Sequence, residues 1–308
     1  MASVAVTSRS FSRHPVLRAE LLERYGHVRF NDEGVELRDA TLVSFLRGCE
    51  RAITALEPID EAILGQLPEL RVISKVGVGI DMLDLDAMRA HGVRLAASGG
   101  TNARSVAELV IGMVICALRH IAELDAEIRR GGWRQPAGRL LGDRTVGIVG
   151  FGAVGRELAR LLVPFRCSIY AFDVVPVEDT LDNVRQSELD ELLARSEIVS
   201  LHLPLTDDTH QIIDVRRLSL MHPEALLVNT ARGALVDEDA LYESLSQGRL
   251  GGACLDVFSS EAPVHSPLLA LPNVVLTPHI GGSTEEAILA MGRAAIAGLE
   301  SAAPIPES

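Results

Sequence analysis

The sequence is poor in positive charge and in aromatic side chains. Its formal net charge of −13 disfavours nucleic acid and anionic membranes as partners, although local charge can still favour a small anionic ligand. Aromatic residues make up 4% of the chain and hydrophobic residues 47%, so a large core would be mostly aliphatic, which suits α/β packing. A length of 308 residues predicts about two domains.

Cysteine and long hydrophobic runs are also scarce. The four cysteines are scattered, and no two have the spacing of metal ligands: Cys49, Cys116, Cys167 and Cys254. We therefore expect reduced thiols, no metal site and a cytoplasmic location. The apolar segment Leu109–Leu118 is too short to span a bilayer, and the N-terminus lacks the pattern of a signal peptide, so no membrane partner is expected.

Strand-like and helix-like segments alternate in two series along the chain. The first series ends near residue 97, and the second occupies residues 142–281. Alternation of this kind is typical of a parallel sheet covered by helices. Between the two series we predict one long helix over residues 105–130, with Ser105 as its N-cap. A last helix over residues 283–299 could pack back on the first domain.

The most informative segment is a Gly-x-Gly-x-x-Gly turn made by Gly150, Gly152 and Gly155. The β-branched residues before it predict a buried strand, and the apolar spacing after it predicts a helix. In a dinucleotide-binding β-α-β unit, the first glycine permits a tight turn and the second a close approach of the pyrophosphate. The third lets the helix pack closely on the strand. The helix N-terminus would then face the phosphates.

An acidic residue closes the next predicted strand. Asp173 lies 23 residues after Gly150, close to where an acid should accept hydrogen bonds from the adenosine ribose. No arginine follows it directly to bind a 2′-phosphate, so NAD is favoured over NADP as the cofactor. The alternative is that Asp173 is only a turn residue at the end of a strand.

Three polar residues follow predicted strands of the second domain: Arg232, Glu261 and His279. Ligands of open α/β sheets bind outside the carboxyl ends of the strands, so all three are predicted to lie on the binding edge. Hydride transfer between nicotinamide and a 2-hydroxy or 2-keto acid uses these residue types together. A histidine exchanges the proton, a carboxylate fixes its tautomer, and an arginine binds the substrate carboxylate. Taken singly, each could be an ordinary loop residue.

Several segments, in this order, carry a resemblance to a known family: Lys75–Asp81, Asn102–Glu108, Gly150–Gly155, His202–Leu205, Asn229–Asp237, Leu255–Phe258 with Glu261, and Thr277–Gly282. In them the chain resembles the D-isomer-specific 2-hydroxyacid dehydrogenases, and the phosphoglycerate dehydrogenase-like branch is closest. The resemblance implies an α/β fold of two doubly wound parallel-sheet domains. A Rossmann NAD-binding domain (99–281) would be inserted into a flavodoxin-like substrate-binding domain (1–98 plus 282–308).

The resemblance also implies roles for individual residues. Arg232 would bind the substrate carboxylate and 2-oxygen, His279 would be the general acid/base, and Glu261 would be its partner. Backbone amides of Val76 and Gly77 would hold the substrate carboxylate, and Lys75 and Asn102 would border the substrate. The implied cofactor-binding residues are Gly150, Gly152, Ala153, Val154, Gly155, Asp173, Leu203, Pro204, Thr209, Thr230, Ala231, Asp256 and Gly281. Of these, Asp256 would receive the nicotinamide carboxamide.

The implied activity is NAD-dependent hydride transfer to or from a small anionic D-2-hydroxy or 2-keto acid, including a phosphorylated, 3-phosphoglycerate-like one. Lys75 stands where the phosphoglycerate enzymes usually have arginine, and Met82 where the family often has asparagine, so the substrate stays open. A phosphonate or phosphite dehydrogenase is one alternative, and an NAD(H)-binding, corepressor-like regulatory protein is another. The latter would have no need of Arg232, Glu261 and His279 together. The family habit implies a homodimer.

Overall fold

A computed structural model of the chain describes residues 3–177, 181–260 and 262–306. The strands are β1 (Val4–Val6), β2 (Val28–Phe30), β3 (Arg51–Thr54), β4 (Val72–Lys75), β5 (Arg94–Ala96), β6 (Thr145–Val149), β7 (Ser168–Phe172), β8 (Val184–Gln186), β9 (Ile198–Leu201), β10 (Leu226–Asn229), β11 (Gly252–Leu255) and β12 (Val274–Leu276). The helices are α1 (Arg9–Arg13), α2 (Pro15–Arg24), α3 (Asp39–Leu46), α4 (Glu61–Leu64), α5 (Leu85–Ala90), α6 (Ala103–Leu118), α7 (Ile121–Arg129), α8 (Ala153–Leu162), α9 (Leu189–Arg195), α10 (Val215–Leu218), α11 (Glu238–Ser246) and α12 (Glu285–Ser301).

The chain forms two compact units, one made of Met1–Asn102 with Gly282–Ser308 and the other of Ala103–Gly281. Each contains a sheet of parallel strands with helices between them, which confirms the predicted α/β fold class. The first boundary lies at Asn102 instead of residue 98, and the second unit is continuous in sequence within the first.

The first unit contains a five-stranded sheet in the order β2-β1-β3-β4-β5. The C-terminal helix α12 packs against β4 in this sheet: the hydroxyl of Ser74 donates a hydrogen bond to the carbonyl of Ala295 at 2.8 Å. Gly298 permits this approach, because a Cβ there would lie 2.3 Å from the Ser74 oxygen. The last helix therefore belongs to the first unit, as the sequence analysis anticipated.

The second unit contains a seven-stranded sheet in the order β12-β11-β10-β9-β6-β7-β8. Strand β6 is buried between β7 and β9, and its side chains enter apolar clusters on both faces of the sheet. From β6 the chain moves outward through β7 and β8 and then returns to β9 on the other side. The carboxyl ends of β6 and β9 therefore form the topological switch point, where ligands of such sheets bind.

The prediction of one continuous helix over residues 105–130 is wrong, because the structure has two helices there. Helix α6 ends at Leu118, His120 adopts a left-handed conformation with φ 55°, and α7 begins at Ile121. Ser105 is not the N-cap, because it lies inside α6 and its buried hydroxyl donates to the Gly281 carbonyl at 2.6 Å. No single described helix has the length and apolar composition of a membrane span. Among the helices that the structure describes, only α6 and α7 taken together pass that test, and they are bent by 62° relative to each other.

Candidate active site

The glycine turn lies at the switch point and is set by close backbone packing. Gly150 has φ +93°, and a Cβ there would lie 2.7 Å from the His202 carbonyl at the end of β9. A Cβ on Gly155 would lie 2.3 Å from the Gly150 carbonyl oxygen. By contrast, the space around a Cβ on Gly152 is open, and Gly152 is the N-cap of α8. The turn therefore leaves room for a phosphate at the N-terminus of a helix.

Asp173 reaches back from the end of β7 to this turn. Its Oδ2 accepts a hydrogen bond from the Phe151 amide at 2.7 Å, and its Oδ1 accepts one from the Val175 amide at 3.2 Å. The carboxylate thus fixes the turn between the first two glycines. It is only partly buried, so a ligand hydroxyl can still approach it.

The loop after β9 and the end of β10 provide further polar groups. Leu203 is buried, and the Thr209 hydroxyl donates to the Pro204 carbonyl at 2.7 Å, which closes this loop. Thr230 is 8% exposed, and its buried hydroxyl oxygen has no hydrogen-bond partner among the described residues. A buried hydroxyl without a partner, after a strand of the sheet that carries the glycine turn, fits a bound polar ligand. The residues present therefore fit a dinucleotide.

His202 is a residue of this edge that the sequence analysis did not single out. Its Nε2 lies 2.9 Å from the buried Ser200 hydroxyl, and its backbone amide donates to the Val149 carbonyl. Burial lowers the pKa of the His202 imidazole to about 4, so it stays neutral at physiological pH. Its sequence signals were its place directly after a buried strand and its position at the start of the His202–Leu205 segment that carries the resemblance.

This histidine should make the protein less stable in acid. The unfolded imidazole takes up a proton near pH 6.5 and the folded one near 4, so the unfolded state binds more protons between these values. The free energy of unfolding is therefore unaffected by this group above about pH 6.5. It falls by about 3 kcal/mol as the pH drops to about 4. Thermal unfolding of wild type and His202→Gln at pH 7 and pH 5 checks this. The difference in unfolding temperature between pH 7 and pH 5 should be smaller in the variant than in the wild type. Equal differences in the two proteins would contradict this role of His202.

Arg232 follows β10 in a turn held by Asn229, another residue that was not singled out. The Asn229 side chain donates to the Arg232 carbonyl at 2.7 Å and accepts from the Ala231 amide at 3.1 Å. The guanidinium of Arg232 donates to the Ala231 carbonyl at 2.7 Å. A Cβ on Gly233 would lie 1.8 Å from the Phe258 carbonyl carbon, so glycine is needed where the loops after β10 and β11 meet.

His279 follows β12 and has a left-handed backbone with φ 55°. Its amide donates to the Asp256 carbonyl at 2.8 Å. Asp256 is 1% exposed, and its carboxylate accepts hydrogen bonds from Thr277, Ile280 and Gly281. The carboxylate that the resemblance assigns to the nicotinamide is therefore already bonded to the turn that carries His279.

A cavity of about 410 Å³ opens beside His279. Its lining is mostly apolar and includes Phe258, Pro263, Val264, Leu269, Leu276 and Pro278. The structure thus gathers Arg232, Asp256 and His279 at the carboxyl ends of the neighbouring strands β10, β11 and β12. Glu261, the predicted partner of His279, lies outside the described residues. Those residues contain no cluster of three or more side chains suited to a metal ion.

The remaining predicted residues lie in the first unit. Lys75 is 3% exposed, and its Nζ lies 3.1 Å from the Met82 sulfur. The Val76 amide donates to the Thr54 carbonyl at 2.8 Å and so belongs to the sheet, which leaves the amides from Gly77 onward as candidates for an anion. Gly77 has φ +99°. Asn102 is the last residue of the N-terminal segment of the first unit. Its buried side-chain oxygen has no hydrogen-bond partner among the described residues.

Comparison with known proteins gives consistent matches. The family model for the NAD-binding domain of D-isomer-specific 2-hydroxyacid dehydrogenases matches residues 111–281. A hydroxypyruvate reductase of Thermotoga maritima is 40% identical over 71% of this chain and 72% of its own length. A D-3-phosphoglycerate dehydrogenase of Methanocaldococcus jannaschii is 37% identical over 76% of this chain. The match covers 46% of that relative, so this chain spans about half of its length. The structure of a D-lactate dehydrogenase from Aquifex aeolicus with NAD and lactic acid aligns with a TM-score of 0.85 at 25% identity, covering 97% of this chain and 94% of that one.

Proposed function

The chain belongs to the D-isomer-specific 2-hydroxyacid dehydrogenase family, and we propose that it interconverts a small 2-keto acid and its D-2-hydroxy acid. It is an NAD-dependent oxidoreductase. The observation that carries the proposal is that Arg232 follows β10 and His279 follows β12, the two strands that flank β11, in the same sheet whose switch point holds the glycine turn. The comparisons do not favour a phosphonate or phosphite dehydrogenase or a regulatory NAD(H)-binding protein.

The chain's own residues supply binding, orientation and proton transfer. The Arg232 guanidinium would hold the substrate carboxylate and polarise the 2-oxygen. His279 would give a proton to that oxygen in reduction and remove it in oxidation, and Glu261 would be its partner. NAD, when bound, supplies or accepts the hydride. The amides at the start of α8, including those of Ala153 and Val154, would face its pyrophosphate, and Asp173 its ribose.

We propose a short, unphosphorylated keto acid of the hydroxypyruvate kind as the preferred substrate. Lys75, which the resemblance places beside the substrate, is a point charge, whereas arginine binds a phosphate through two parallel hydrogen bonds. A spectrophotometric screen of plain, phosphorylated and phosphonate keto acids with NADH tests this preference for an unphosphorylated substrate. A phosphorylated acid with the highest kcat/KM would overturn the preference and leave the reaction type intact.

Replacing Asp173 should weaken NAD binding and relax discrimination against NADP. Asp173→Ala removes the expected ribose contact and the bond to the Phe151 amide. We expect the dissociation constant of NADH to rise about 10- to 100-fold, the effect of losing hydrogen bonds to a charged group. Fluorescence titration with NADH and NADPH measures both constants, and the exposed Asp239→Ala is the control. An unchanged preference for NADH would mean that Asp173 is only a turn residue.

A homodimer in the cytoplasm is the proposed state of the enzyme. Several large apolar side chains of α7 and the segment after it are exposed in the single chain: Ile121, Ile128, Trp133 and Leu140. Exposed apolar groups close together in sequence are typical of a protein interface. Sedimentation velocity measures the state directly, and the mass of one chain would contradict the dimer.

A further inference from the structure

Three successive backbone amides after Pro278 converge on Asp256. The His279 amide donates to the Asp256 carbonyl, the Ile280 amide to Oδ1 and the Gly281 amide to Oδ2, each at 2.8 Å. Consecutive amides arranged by a left-handed residue form a concave anion site, and here the protein fills that site with its own carboxylate. The side chain is 1% exposed, so water contributes little to holding it.

The backbone of His279 needs this support. With φ 55° it occupies the left-handed region, which non-glycine residues adopt at a cost and mostly where the surroundings enforce it. The three hydrogen bonds to Asp256 hold the left-handed conformation from both sides of the His279 Cα atom, because one comes from the amide before that atom and two from amides after it. Because the direction of the imidazole depends on the backbone at that atom, the carboxylate controls where the ring points.

Thr277 completes the arrangement from the strand side. Its hydroxyl donates to Asp256 Oδ1 at 2.6 Å, a short charge-assisted hydrogen bond. Oδ1 is therefore held between Thr277 and Ile280, which lie on either side of His279 in the sequence. On the opposite side, a Cβ on Gly281 would lie 3.1 Å from Oδ2, so the backbone of Gly281 approaches the carboxylate closely and has little room for a side chain there.

We propose that Asp256 and Thr277 are positioning residues that set the reactive orientation of His279. This inference rests on the proposed function, because it assumes that His279 exchanges the substrate proton. The proposal assigns Thr277 a role in turnover. It also assigns Asp256 a role that does not depend on contact with the nicotinamide. In this proposal Thr277 acts through Asp256, to which its hydroxyl donates, so removing that hydroxyl separates the two possible roles of the carboxylate.

The experiment compares Thr277→Val, which preserves shape and removes the hydroxyl, with Thr277→Ser, which preserves the hydroxyl. We expect kcat at saturating NADH to fall on the order of 10- to 100-fold in the valine variant, the effect of a small misplacement of a reacting group. The serine variant should recover kcat to within a few fold of wild type. The dissociation constant of NADH should stay unchanged in both, and the pH profile of kcat should shift only in the valine variant.

The proposal would be overturned by a wild-type kcat in Thr277→Val. It would also be overturned if valine and serine lose activity equally, or if the whole effect of valine appears in NADH affinity. Should Thr277→Val not fold, Asp256→Asn replaces it, and a kcat at saturating NADH within about threefold of wild type overturns the proposal. His279→Asn keeps these outcomes distinct from failure of the proposed function, because full activity in that variant removes His279 from the reaction altogether.

Discussion

His279→Ala should lower kcat by two to four orders of magnitude, roughly what a positioned general acid or base contributes. The proton would then come from water, while the glycine turn that is proposed to bind the dinucleotide would be untouched. NADH affinity, measured by fluorescence titration, should therefore be largely retained. The loss should appear equally in kcat and kcat/KM, because a proton-transfer group acts in the transition state.

Two further variants separate chemistry from backbone strain. Asparagine tolerates the left-handed conformation better than alanine does, so His279→Asn should preserve the turn at φ 55° and still be inactive. His27→Ala, which changes an exposed histidine of the first unit, should have no effect. Near-normal turnover in both His279 variants would remove this residue from the proton transfer.

Arg232→Ala should reduce kcat/KM for a 2-keto acid by roughly two to three orders of magnitude. The variant loses both the ionic contact with the substrate carboxylate and the polarisation of the 2-oxygen, and loss of an oxyanion contact alone typically costs about 10²–10³-fold. Asn229 should still hold the turn, because it bonds the backbone of residues 231 and 232 and not the guanidinium. Steady-state kinetics with varied keto acid measures the effect.

The arginine prediction has two checks. Arg232→Lys should regain only part of the activity, because lysine supplies charge without the planar fork. Arg249→Ala, a change at a surface ion pair with Glu243, should behave as wild type. An Arg232→Ala enzyme with unchanged KM and kcat would show that the substrate carboxylate binds elsewhere.

The parts of the molecule that could be predicted from sequence are those set by local patterns. The glycine turn, the strands around it and the binding edge follow from β-branched runs, glycine spacing and the rule for open sheets. The continuous helix over 105–130 was wrong, because apolar spacing persists through the break at His120 while the backbone there turns left-handed. Strand β8 could not be predicted from the sequence, since its three residues, Val184–Gln186, carry little pattern.

The candidate site could be proposed from the sequence as a set of residues, but the contacts among those residues could not. Asp256 was identified only through the resemblance, which could not reveal that its carboxylate is bonded to the turn of His279. Nor could the sequence show that the Val76 amide belongs to the sheet. These facts depend on which backbone groups meet across strands far apart in the chain, and no local pattern records that.

The most direct test of the account is to follow the hydride itself. Reaction of the enzyme with NADH deuterated at C4 of the nicotinamide and a 2-keto acid such as hydroxypyruvate would be analysed by mass spectrometry and chiral chromatography. We predict a 2-hydroxy acid of D configuration with deuterium on C2. NADH that binds tightly while no 2-keto acid in the panel acquires deuterium would contradict the central claim that this chain is a D-2-hydroxyacid dehydrogenase.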